Sequence, residues 1–328
     1  MTLADGIDSL ASKGAEPLSN CKSNPDPRAI LQWKDDPRIV WPRPRDPPRL
    51  DYLMAFFSQI AYVPTRFEAS NQRGTKVVPS RFFQDLANRG RALDVARLVR
   101  DAFPQELDMP VRVVSTANSI TLIARVKEVV IIASRGTILF HSLLRPSGDV
   151  GIDLNAWPIA YGSADVSYHF GFLEEACASL PQIVEAYRHV GEGLPIYFTG
   201  HSLGGALAAV NDRLWDESLG RCVGRKTIVF GCPRFGNDAA VKLRPVRAFV
   251  RPGDPVPNLP PRIFGYADIP NSEELRDPDS DSWNIFKNHA IEGYRRAIAH
   301  RDEVLAEDER LYRLFEIAMA KEPRQWGF

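Results

Sequence analysis

Apolar residues recur along this chain in two rhythms. Between residues 51 and 62, Leu53, Phe56, Phe57 and Ile60 fall three and four apart. That spacing puts them on one side of a helix, and Pro64 stops it. Residues 82–103 predict one or two further helices, with Gly90 as a break. The rhythm then changes. Residues 111–114 and 120–126 alternate like paired strands around Thr116-Ala117-Asn118-Ser119, a hairpin turn. Residues 129–134 form an apolar run, as in a strand covered on both faces. A helix over 171–190, a strand over 196–199 and a helix over 203–215 follow. Strands over 227–231 and 246–250 come next, then helices over 289–300 and 303–320.

Strands alternating with helices from 129 to 250 imply a parallel sheet with right-handed crossovers. The early hairpin makes that sheet mixed. Residues 51–328 therefore read as one α/β domain. Residues 1–50 differ, holding eight of the 26 prolines. Such a segment cannot keep a helix. Trp33, Ile39, Val40 and Trp41 give it apolar points of attachment, so a Pro-rich arm lying partly on the body is expected.

Composition narrows the classes. The chain has 328 residues, 44% hydrophobic and 25% charged, enough for a sizeable core. Its formal net charge of zero gives no basic surplus, so no nucleic-acid partner is expected. The longest apolar run, 129–133, is too short to span a bilayer. The first ten residues carry Asp5 and Asp8 and no apolar centre, unlike a signal peptide. Cys21, Cys177, Cys222 and Cys232 show no C-x-x-C spacing, which argues against a zinc or redox site. Reduced thiols in a cytoplasm are the default. A Cys222–Cys232 bridge and signal-independent export are the alternatives.

The candidate chemistry centres on Gly200-His201-Ser202-Leu203-Gly204-Gly205, between a predicted strand and a predicted helix. Strand, G-x-S-x-G, helix is the setting of a nucleophile elbow. There a serine Oγ stands clear of the backbone, near helix N–H groups that favour a developing oxyanion. The elbow predicts an acid and then a histidine, in that order, further along. Asp254 follows the 246–250 strand through Arg251-Pro252-Gly253, and Asp238 is second choice. Only His289 and His300 come after Ser202, and His289 lies where an irregular stretch meets a helix. His289 is chosen as general base. His201 reads as a packed histidine under the elbow. Leu203 N–H and Thr137, after the 129–134 strand, are the oxyanion donors. No metal or organic cofactor is required.

These residues occur within a longer ordered set. It runs Arg135-Gly136-Thr137, Tyr168-His169-Phe170-Gly171-Phe172, Gly200 to Ala208, and Phe230-Gly231-Cys232-Pro233-Arg234-Phe235-Gly236-Asn237. Asp254-Pro255-Val256-Pro257 and His289 with Gly293-Tyr294 complete it. The set resembles the class 3 (fungal-type triacylglycerol) lipase family. The resemblance implies an α/β-hydrolase fold with a central, mostly parallel mixed sheet flanked by helices. It implies a Ser202–Asp254–His289 triad, oxyanion donors at Thr137 and Leu203, and a short lid over residues 138–152. The implied activity is a serine carboxylester hydrolase acting on acylglycerols or related lipid esters, with peripheral contact to a lipid interface. A phospholipase, including an exported one, or a short-chain esterase is the alternative. A catalytically inactive binding protein on the same fold is the reading from a different class. Ser134 stands where the family often has an aromatic residue, and neither the arm nor the acidic segment 268–281 has a family counterpart.

Overall fold

A computed structural model describes residues 49–61, 111–116, 119–126, 129–135, 157–219, 224–276 and 285–320. The helices expected over 82–103, nearly all of the arm, the lid segment 138–152 and Thr137 lie outside the described residues.

Helix α1 is Arg49–Ile60, and strands β1 (Val111–Ser115), β2 (Ile120–Val126) and β3 (Val129–Arg135) follow. A hairpin of β4 (Pro158–Tyr161) and β5 (Ser163–His169) leads into α2 (Phe170–Gly191). Then come β6 (Ile196–His201), α3 (Leu203–Leu219), β7 (Arg225–Phe230), α4 (Asp238–Leu243), β8 (Val246–Val250) and β9 (Glu273–Glu274). Helices α5 (Ile285–His289), α6 (Ile291–Arg301) and α7 (Leu305–Ala320) complete the described elements.

Seven strands form one sheet in the order β1-β2-β3-β6-β7-β8-β9. The β1–β2 and β2–β3 pairs are antiparallel, and the pairs from β3 to β9 are parallel. This is the mixed, mostly parallel sheet of an α/β-hydrolase.

The apolar run in β3 is explained by its two faces. Val130 and Ile132 join the core under α2 and α3, with Phe198, Leu207 and Trp215. Ile131 and Ala133 face the other way, against α1 and α6, with Phe56, Phe57 and Ile298. A strand buried on both sides has no polar alternation to display. Each such side chain contributes roughly 1.5–3 kcal/mol on leaving water. The hairpin β4–β5 was not legible in the sequence. Its strands are mostly exposed or half-buried, so they carry no apolar period.

Candidate active site

β6 ends at His201 and α3 begins at Leu203, so Ser202 alone makes the turn between them. Its φ is 58°, a left-handed conformation that is strained for a side chain with a Cβ. The surroundings hold it there. Ser202 N–H donates to Phe230 O at 3.0 Å, and Ser202 O accepts from Gly205 N–H at 2.9 Å. A Cβ on Gly200 would overlap the backbone of Gly204, so strand and helix meet this closely only through glycine.

Asp254 stands on a turn beyond β8, closed by Asp254 N–H donating to Arg251 O at 3.1 Å. Gly253 takes φ 75° in that turn. The Asp254 side chain is fully buried. One oxygen accepts from Val256 N–H at 2.9 Å, and the other from the Tyr294 hydroxyl at 2.5 Å. Both lie within 3.0 Å of His289 Nδ1. A carboxylate only accepts, so Nδ1 carries the ring proton and Nε2 is left as an acceptor. Ser202 Oγ lies 2.9 Å from Nε2 and donates to it. The three residues singled out in the sequence thus form one continuous hydrogen-bonded chain.

His289 departs from its expected local structure. It does not sit in an irregular stretch leading into a helix. It is the last residue of the short helix α5, and Ala290, extended at ψ 135°, starts α6. The helix ends there because its last carbonyls are taken by side chains. Arg251 donates to Lys287 O at 2.9 Å and Asn288 O at 2.8 Å. His201 Nε2 donates to His289 O at 2.6 Å.

His201 is buried, with its ring centroid 4.5 Å from that of His289. Burial first, then the neighbouring His289, hold its pKa well below the ordinary histidine value. It is therefore neutral at pH 7, a packed and bonded histidine as the sequence reading had it. Tyr294 is also buried, and burial followed by the Asp254 charge pushes its phenol well up. The proton stays on oxygen and is donated to Asp254. Gly231, at φ 54°, leaves the room this needs: a Cβ there would lie 2.9 Å from Asp254 Oδ2 and 3.0 Å from Tyr294 OH.

The second-choice residues are elsewhere. Asp238 is exposed and pairs with Lys242 at 2.7 Å. His300 is exposed in the last turn of α6. Leu203 opens α3, so its N–H is among the first helix donors without an intrahelical acceptor. Cys177 and Cys232 are free thiols among the described residues, and Cys222 of the alternative Cys222–Cys232 bridge lies outside them. Two residues to which the sequence reading gave no chemical role, Arg251 and Tyr294, hold this site. Their only local signal is the closeness of Arg251 to Asp254 and of Tyr294 to His289. A polar cavity of about 380 Å³ lies beside Asp254, lined also by Cys232, Arg234, Asp268, Ser272 and Glu274; neither Ser202 nor His289 lines it.

A serine at a strand–helix elbow, with an acid from a later turn and a histidine from the end of a later helix, on this sheet, defines the protein as an α/β-hydrolase. A sequence model of the family Lipase (class 3) matches residues 139–264. The chain is 37% identical over 111 residues to secreted mono- and diacylglycerol lipase 1 of Fusarium solani, covering 31% of this chain and 32% of that protein. It is 26% identical over 208 residues to phospholipase A1-II 5 of Oryza sativa subsp. indica, covering 53% and 44%. The match thus spans about a third to under a half of each relative's length. Among solved structures, a lipase from Rhizopus microsporus var. chinensis is similar at 18% identity and TM-score 0.49, covering 74% of this chain and 85% of that one.

Proposed function

We propose that this protein is a serine carboxylester hydrolase, a lipase cleaving acylglycerols or related lipid esters through an acyl-enzyme on Ser202. The observation that carries the reading is the relay from the Ser202 hydroxyl through His289 to a buried Asp254. Ser202 Oγ attacks the ester carbonyl while His289 Nε2 takes its proton. Asp254 fixes the tautomer and stabilises the imidazolium. The oxyanion is held by N–H groups at Leu203 and Thr137. The imidazolium then protonates the leaving alcohol. Water, deprotonated by His289, attacks the acyl carbonyl and returns Ser202 and the fatty acid. None of these steps calls on a cofactor.

The lipid-ester substrate class is supported by the class 3 lipase segment and by relatives named as mono- and diacylglycerol lipases. The rice relative named as a phospholipase A1 supports the second reading, over a longer alignment at lower identity. Among the described residues no helix is long and apolar enough to cross a membrane. Contact with a lipid interface is accordingly proposed as peripheral. For location we propose a reducing compartment, the cytoplasm, supported by the free thiols Cys177 and Cys232. The fungal relatives carry "secreted" in their names, and fractionation into cytosol and medium decides between the two.

The test is hydrolysis rate against acyl-chain length on monoacyl, diacyl and triacyl glycerols and on phospholipid vesicles, with Ser202→Ala as the blank. Long-chain acylglycerol turnover that Ser202→Ala abolishes supports the proposal. Preference for vesicles moves it to the phospholipase. Full turnover in Ser202→Ala overturns it.

A further inference from the structure

We infer that Arg251 is a positioning residue that sets the distance between Asp254 and His289, and through it the aim of His289 Nε2 at Ser202. The inference rests on the hydrolase reading above. Arg251 is 3% exposed although it carries a guanidinium. It touches both partners of the acid–base pair in different ways. Its backbone carbonyl closes the turn that carries Asp254. Its backbone N–H donates at 3.1 Å to the hydroxyl of Tyr294, which in turn donates to Asp254. Its side chain reaches across to the segment that carries His289 and donates to the carbonyls of the two residues before it.

The geometry around this reach is cleared for it. The guanidinium lies over the Tyr294 ring, 5.7 Å from its centroid. It occupies a notch at Gly293, where a Cβ would overlap Nη1 and Cζ. Gly253 is likewise hemmed in by the Asn288 side chain, so the turn and the α5 terminus are in direct contact. Carbonyls at a helix C-terminus carry partial negative charge, and a buried fixed cation complements it. His201 takes the next carbonyl, that of His289. Three successive carbonyls therefore have a side-chain donor each, two of them from Arg251. The base rides on the one segment whose position Arg251 dictates, and the acid on the turn Arg251 begins. Relay geometry tolerates little error: a misplacement of about 1 Å can cost about 100-fold in rate.

The experiment compares wild type with Arg251→Met, Arg251→Lys and Gly293→Ala on an ester that the wild type turns over and Ser202→Ala does not. It reads kcat, KM, Tm and the low-field proton resonance of the His289 Nδ1–H bond to Asp254. Expected is a fall in kcat of about 10–100-fold in Arg251→Met with KM within about twofold, partial recovery in Arg251→Lys, and a shifted or lost resonance. Gly293→Ala keeps Arg251 but pushes its guanidinium aside, so it lowers kcat in the same manner and carries the test if Arg251→Met does not fold. A folded variant with lowered Tm but unchanged kcat and resonance overturns the inference, since Arg251 would then only stabilise. If no ester distinguishes wild type from Ser202→Ala, the hydrolase reading has failed. The resonance still decides for Arg251: unchanged in the variants, it overturns the positioning role.

Discussion

The two ends of the parallel strands each hold a buried carboxylate, and the two are used oppositely. At the end where β7 begins, Asp212 of α3 accepts from Arg225 at 2.8 Å, Thr227 at 2.8 Å and Arg244 at 3.0 Å. At the end where β6 finishes, Asp254 accepts from Val256, Tyr294 and His289. The Asp212 cluster joins α3 and β7 to Arg244 just past the end of α4. The Asp254 cluster passes through residues in left-handed backbone, Ser202, Gly231 and Gly253, and runs out to a hydroxyl. A buried ion pair that closes on itself locks a helix to a sheet. One that ends on the Ser202 hydroxyl leaves an end open, where the proposed function seats its substrate. The lesson is that burial and pairing do not distinguish a strut from a reactive site; backbone strain and an open terminus do.

Substitutions at the two ends should separate these roles, and the largest effect falls on the open one. Ser202→Ala is expected to lower turnover by about 10⁴-fold or more while leaving Tm nearly unchanged. Labelling by a fluorophosphonate probe should vanish with it. Asp254→Asn keeps the shape but favours the wrong tautomer, and a loss of about 10⁴-fold in kcat is expected; a drop below tenfold would mean Asp254 is a strut like Asp212. At the closed end, Asp212→Ala removes the buried carboxylate that Arg225, Thr227 and Arg244 share. Urea unfolding should show a loss of about 3–5 kcal/mol, with kcat per folded molecule unchanged. A changed kcat there would erase the contrast.

A pH titration sharpens the comparison further. Burial pushes the Tyr187 phenol up to about 12 from its ordinary value of 10. The folded pKa is raised, so stability is fully present below pH 10 and is lost as pH rises towards 12. The loss amounts to roughly 2–3 kcal/mol. Tyr187 packs under α3 against Trp215, away from the relay. Circular dichroism should therefore show alkaline destabilisation that Tyr187→Phe reduces. The smallest effect is expected from Tyr294→Phe. It removes the hydrogen bond to a buried carboxylate, worth about 1.5–3 kcal/mol, together with the one from Arg251 N–H, and should lower kcat by roughly tenfold or somewhat more.

Much of this was legible in the sequence because it is local. The helix at Arg49–Ile60, the strands β1 to β3 and β6 to β8 and the elbow announce themselves within short windows of residues. Asp254 and His289 followed from chain order, since only two histidines come after Ser202. What stayed hidden depends on contacts between distant segments. No pattern near Arg251 says that its guanidinium crosses to residues 287 and 288. Nothing at Gly293 or Gly231 says whose atoms need the missing Cβ. The helix α5 was unreadable for the same reason: its end is set by donors from Arg251 and His201, not by a local stop signal.

The relay joins residues far apart in the order of synthesis. Ser202 and His289 are separated by 87 positions, and the clamp on the latter comes from Arg251 in between. A growing chain that has folded its central strands and elbow holds a serine with no base to activate it. Reactivity arrives only when α5 and α6 dock and Tyr294 closes over Asp254. On the hydrolase reading proposed above, the nascent protein is thus inert towards esters until α6 is in place, a safeguard that comes from chain order alone.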